Sequence, residues 1–130
     1  MTILAATITL LLGPATTDVP TGPTSPVPAC ADADITCLIQ RTWPAAEWAH
    51  VEHVVQCESH GHPDAVGRNG TSRVLGLLQL DEWSWARKLT AAGFDWTRWA
   101  DPFTNLRMGR WIFDRTGWTG WACASRAWTR

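Results

Sequence analysis

The sequence predicts a mainly α, α+β domain, in which helices surround a short β or irregular element. Three observations carry this. Helix-like stretches with an aspartate or proline at the start and a glycine or proline at the end recur between Ala31 and Gly117. They are interrupted once, by "HGHPDAVGRNGTSRVLGLLQL", where glycines, a proline and an Asn-Gly step favour turns or a hairpin. The chain has 130 residues, 45% of them hydrophobic, enough to bury one core, and it has no internal repeat of supersecondary length.

The chain opens on an apolar run, Ile3 to Leu12, too short to span a bilayer but suited to a signal peptide. Residues 1–13 are therefore expected to be a signal peptide, and the protein to be secreted. Residues 14–29 are dominated by proline and threonine and read as an extended linker, which leaves 30–130 as the folded domain, with no stable membrane insertion and as a monomer. With 11 basic and 12 acidic residues the formal charge is −1, which offers no general pull toward nucleic acid or anionic membranes.

"DADITCLIQRTWP" predicts a short helix capped by Asp32 or Asp34 and ended before Pro44. "PAAEWAHVEHVVQCES" predicts the next, with Pro44 at the first turn and apolar Trp48, Val51 and Val55 on one stripe. The same three- and four-residue steps reach Glu58, which separates its carboxylate from Glu47 and His53 on the opposite, solvent-facing side. The run Val74 to Leu80 fits either a strand or a buried segment. "DEWSWARKLTAAG" predicts a helix capped by Asp81 and stopped at Gly93, with Trp85 and Leu89 on one face. In "DPFTNLRMGRWIFDRTG", Phe103, Leu106, Trp111 and Ile112 form the expected apolar side of a further helix ended by Gly117. "WTGWACASRAWTR" is a short tail.

The cysteines number four, an even count that together with export favours two disulfides. Of three possible pairings we prefer Cys30 with Cys37, a short clip, and Cys57 with Cys123, which closes a long loop for about 4 kcal/mol in the chain-entropy model. His50, His53, His60 and His62 crowd the same region, but no cysteine spacing fits a zinc knuckle, and neither a metal nor a cofactor is predicted.

A carboxyl held on an apolar stripe is desolvated, which favours its protonated form. Such a group can protonate the oxygen of a glycosidic bond while the other ring passes through an oxocarbenium-like state. "CESHGHPDAV" followed by "NGTSRVLGLLQL" resembles the signature of the lysozyme-like superfamily, specifically lytic transglycosylase catalytic domains and their resuscitation-promoting-factor relatives. The matching residues are Glu58, Ser59, Pro63, Ala65, Ser72, Gly76, Leu77 and Gln79, with Asn105, Gly109 and Trp111 in the later "NLRMGRWI". Leu75 replaces the usual tyrosine before Gly-Leu, and His62 the usual asparagine before Pro63.

The resemblance implies a lysozyme-like fold and cleavage of the MurNAc-GlcNAc β-1,4 bond of peptidoglycan, in the cell wall or from a phage particle. It implies Glu58 as proton donor, with Gln79 and nearby backbone holding the glycan strand. It also supports pairing Cys57 with Cys123, since those relatives bond the cysteine before the acid to one in a tail like "GWTGWAC". Ser59, Ser72, Asn105 and Trp111 are further candidate substrate contacts. Trp83, Trp85 and Trp99 are aromatic platforms expected to flank the groove or to pack in the core. Transglycosylases use one glutamate as acid and then base, whereas inverting hydrolases need a second carboxylate; Asp64, Asp81, Glu82 and Asp95 are candidates that spacing does not separate. A wall-binding module of the same fold is the non-catalytic alternative.

Overall fold

The computed structural model describes Gly13 and residues 29–125. Apart from Gly13 and Ala29, the signal-peptide and linker segments lie outside the described residues, as do the last five. The first helix, α1 (Ile35–Thr42), starts where the Asp34 carboxylate accepts the Cys37 N–H at 2.9 Å. A disulfide between Cys30 and Cys37 ties the preceding turn to it. Its inner face is Leu38 and Ile39, and it ends at Trp43, whose extended backbone suits the residue before a proline. The Trp43 indole is buried and donates to the Leu106 carbonyl at 3.2 Å.

The sequence places one helix from Pro44 onward. Instead a 3₁₀ turn (Ala45–Glu47) precedes α2 (Trp48–Ser59), which buries Val51, Val54 and Val55. The helix stops where His60 adopts the left-handed conformation, φ 54°, followed by Gly61 at φ 77°. Glu47, expected in solvent, is half-buried and accepts the Trp118 indole N–H at 2.9 Å; His53 is half-buried as well. The C-terminal tail covers that side of the helix, which the periodicity within α2 could not reveal.

The middle segment is a three-stranded antiparallel sheet in the order β1 (Val66–Asn69), β2 (Ser72–Leu75), β3 (Leu80–Asp81). Asn69 pairs with Ser72 across Gly70-Thr71, with Gly70 at φ 61°. Positive φ at the first of two turn residues is the backbone that matches strand twist in a tight hairpin. The run from Val74 to Leu80 turns out to be strand, turn and strand, with Leu77 and Leu78 of the turn fully buried. Gly76 starts that turn at φ 79°, and a Cβ there would lie 2.2 Å from Asn105 Nδ2 and 2.7 Å from the Trp99 carbonyl. No other residue fits.

Helix α3 (Glu82–Ala91) is capped by Asp81, which accepts the Ser84 N–H at 2.8 Å, and it turns Leu89 into the core with Trp85 packed at the edge. A 3₁₀ turn (Trp96–Arg98) leads to α4 (Pro102–Thr116), capped by Asp101. The buried stripe of α4 is Asn105, Leu106, Met108, Gly109 and Ile112. Of the other two residues expected on that stripe, Trp111 packs part-buried at its edge and Phe103 is not on it. Phe103 is exposed with the Arg107 guanidinium over its ring, and half-buried Trp111 carries Arg115 over its face at 3.4 Å. Gly109 sits where a Cβ would meet Leu78 Cδ1 at 2.2 Å, so the sheet turn and α4 approach as closely as backbone allows.

Two 3₁₀ turns (Gly117–Gly120 and Ala122–Ser125) form the tail. Trp118 stacks on Trp43 with centroids 5.4 Å apart, and Cys123 is disulfide-bonded to Cys57. Among the described residues no helix is long and apolar enough to cross a membrane.

Candidate active site

Glu58 occupies the last turn of α2, one helical turn beyond Val55 and one residue after the disulfide-bonded Cys57. Its side chain is half-buried and opens into a cavity of about 340 Å³. One wall is the sheet, through Arg68, Asn69, Val74, Gln79, Leu80 and Asp81; Trp85 of α3 and Ile112 of α4 close the back. The other wall is the tail, from Gly120 to Ala122. Thus an apolar floor, two carboxylates, two amides, a guanidinium and two indoles converge on one pocket, the usual make-up of a small-ligand site.

The tail wall is fixed by four different bonds. Cys123 is linked to Cys57 by its sulfur, and its backbone N–H donates a long hydrogen bond, 3.4 Å, to Glu58 Oε1. The Trp121 indole donates to the Leu78 carbonyl at 2.9 Å, and a His50 ring nitrogen lies 2.8 Å from the Ala124 carbonyl. Residues 120–122 were not anticipated as site residues, although a Cys57–Cys123 bridge by itself requires the tail to run past Glu58.

On the sheet wall Gln79 stands at φ 46°, an uncommon conformation for a residue other than glycine. Its amide nitrogen donates to the Ala65 and Gly76 carbonyls at 3.1 and 3.0 Å. Those bonds fix the amide plane and direct Oε1 toward Gly67, whose absent side chain makes room, since a Cβ there would fall 2.6 Å from it. Gln79 is therefore both a brace of the turn and a polar lining of the pocket.

Asp81 lines the same pocket, and its oxygens accept from Ser84 N–H, the Ser72 hydroxyl at 3.2 Å and the Asn69 amide at 3.3 Å. Burial alone would push its pKa up, but the donors on Ser84, Ser72 and Asn69 together hold the carboxyl below its ordinary value, so it is ionised at neutral pH. The other carboxylates considered from the sequence lie elsewhere. Glu82 pairs with Arg73, Asp95 caps the turn at Thr97, and Asp64 is exposed outside the pocket lining.

Several predicted contacts are structural in position. Ser59 is buried and bonds the Val55 carbonyl at 3.0 Å. Asn105 is completely buried, accepts the Leu78 N–H and donates to the Leu75 and Trp99 carbonyls, bracing the sheet turn on α4. Trp111 faces away from the Glu58 pocket, beside Arg41 and Phe103. Ser72 reaches the pocket only through Asp81, while Trp83 stands 89% exposed in an adjoining cavity, so it is no part of the core. Among the described residues no group of three or more histidines, cysteines or carboxylates is placed to hold a metal.

No family model, curated protein or solved structure matches the chain.

Proposed function

We propose that the protein cleaves the MurNAc-GlcNAc β-1,4 bond of peptidoglycan with Glu58 as its acid, by the route of a lytic transglycosylase. The observation that carries this reading is the pocket around Glu58, where a sheltered carboxyl faces a cleft lined by Gln79, Trp85, Trp121 and a carboxylate, Asp81. A proton donor must reach into the cleft and be shielded from bulk water; the half-buried Trp85 face suits the apolar face of a sugar ring, while buried Trp121 shapes the wall.

Glu58 would protonate the glycosidic oxygen as the bond to the anomeric carbon breaks, leaving its own carboxylate ionised. The muramic 6-hydroxyl then attacks that carbon and returns its proton to Glu58, which closes a 1,6-anhydro ring. Asp81 bears on the choice between this route and hydrolysis. A base that activates water needs free lone pairs and some proton affinity, whereas Asp81 has three hydrogen-bond donors on it and a lowered pKa. It is better suited to stay ionised and stabilise developing positive charge on the sugar. This favours the single-glutamate route over an inverting muramidase.

Two disulfides fit a secreted or wall-associated protein, since such bonds persist in oxidising compartments. Mass spectrometry of fragments released from purified peptidoglycan tests the route. Anhydro-muramic ends are expected, and fragments carrying only reducing ends would reject the transglycosylase in favour of a hydrolase.

A further inference from the structure

A second cavity, of about 520 Å³, lies between the hairpin and the start of α3 and adjoins the Glu58 pocket, because Arg68 lines both. Its lining also includes Arg73, Glu82, Trp83 and Arg87. Arg73 donates two hydrogen bonds of 2.7 Å to Glu82, so that pair is internally neutral. Arg68 and Arg87 are exposed and have no carboxylate partner among the described residues. Within its own lining the cavity therefore carries an excess of two positive charges, Arg68 at the border with the Glu58 pocket that Asp81 also lines, on a protein whose formal net charge is −1.

Trp83 adds an apolar plane to those charges. It is 89% exposed, more than any other large hydrophobic side chain among the described residues, and it stands four residues before Arg87 on the same face of α3. A solvent-exposed indole beside free guanidinium groups forgoes burial and screening that a ligand would supply. Guanidinium forks fit carboxylates in a two-point geometry, and two of them suit one or two carboxylates rather than a long polyanion.

We propose that this cavity is a subsite for the carboxylates of the peptide stem carried by the glycan, with Arg68 and Arg87 pairing the carboxylates and Trp83 stacking against the adjoining chain. The proposal rests on reading the Glu58 pocket as the peptidoglycan site, since it places the stem where the strand leaves that pocket past Arg68. The stem, which simple polysaccharides lack, becomes a determinant of which strands are bound.

The test is calorimetric titration of the full chain with a soluble disaccharide-peptide, the same disaccharide after amidase removal of the stem, and a phosphate-bearing wall polymer. The parent is expected to bind the stem-bearing ligand about tenfold more tightly than the bare one. Arg68→Gln/Arg87→Gln should abolish that gap, and Trp83→Ala should weaken the stem-bearing arm. These residues are exposed, and unchanged melting curves will show that the variants fold. Equal affinity of the parent for both disaccharides, no binding of either, a gap that survives the double substitution, or preference for the phosphate polymer would each overturn the subsite. Muropeptide release from sacculi is read in parallel. Stem preference without release would reject the glycosidase reading and keep the subsite, whereas release without stem preference would do the reverse.

Discussion

The two walls of the Glu58 pocket are built on different principles. The tail wall is pinned by a disulfide, a stacked pair of indoles and a backbone bond to the acid itself. The sheet wall is held by side-chain amides and hydroxyls, through Asn105, Gln79 and Ser72, around a turn that needs Gly76 and an αL glutamine. The first wall holds the Glu58 carboxyl in place, and the second presents polar groups to the pocket. Rigidity by covalent and apolar means therefore sits beside the carboxyl that the proposed function takes as its acid, and polar variety sits on the opposite wall.

The largest effect should come from breaking the tail wall. Removing the Cys57–Cys123 bridge by paired serine substitution frees a loop of 66 residues, which the chain-entropy model values at about 4 kcal/mol. Chemical denaturation should show that loss, and activity should fall with it because the tail forms one side of the pocket. A variant of unchanged stability would mean that the indole stack holds the tail unaided. The sheet wall should respond next. Asn105→Ala leaves the Leu78 N–H and the Leu75 and Trp99 carbonyls without their partner, at a cost of about 3 kcal/mol in the same assay.

Acid should weaken the sheet wall and the start of α4. The Asp81, Glu82 and Asp101 carboxyls all have lowered pKa values in the fold. For Asp81 and Asp101 burial opposes the shift and is outweighed by hydrogen bonds from Ser84, Ser72 and Asn69 in one case and from Thr104 in the other; Glu82 is lowered chiefly by its bond from Arg73. A depressed carboxyl contributes stability that is complete above its unfolded pKa and disappears as pH falls through the folded value. Stability should thus hold down to about pH 4 and decline below it, and Asp81→Asn should make that decline shallower. The smallest change in stability is expected from Trp83→Ala, within about 0.5 kcal/mol because the ring is already in water.

What the sequence made legible were features decided within one element. Asp81 caps its helix as expected, Asp34 is the one of two candidate caps that serves α1, Gly93 and Gly117 lie beyond helix ends, and the Asn-Gly step marks the hairpin. Glu58 follows the buried Val51 and Val55 stripe into the pocket, as the spacing required. Features that depend on two elements meeting were not legible. Asn105, a candidate substrate contact by its place in the sequence, is instead a buried brace, which shows only once Leu78 is brought against Gly109. Phe103 keeps helical spacing with Leu106 but lies beyond the part of α4 that anything covers. The expected Cys57–Cys123 bridge brings the tail past Glu58, but the pair of 3₁₀ turns that sets Gly120 to Ala122 against the pocket is announced by no periodicity.

The proposed function rests first on Glu58 as the proton donor. Glu58→Gln keeps the size and the acceptor toward the Cys123 N–H but cannot give up a proton. Muropeptide release from purified peptidoglycan, measured beside a melting curve for each protein, should fall by about 10²- to 10⁴-fold with the melting temperature nearly unchanged. Release at the parental rate from a folded variant would contradict the account.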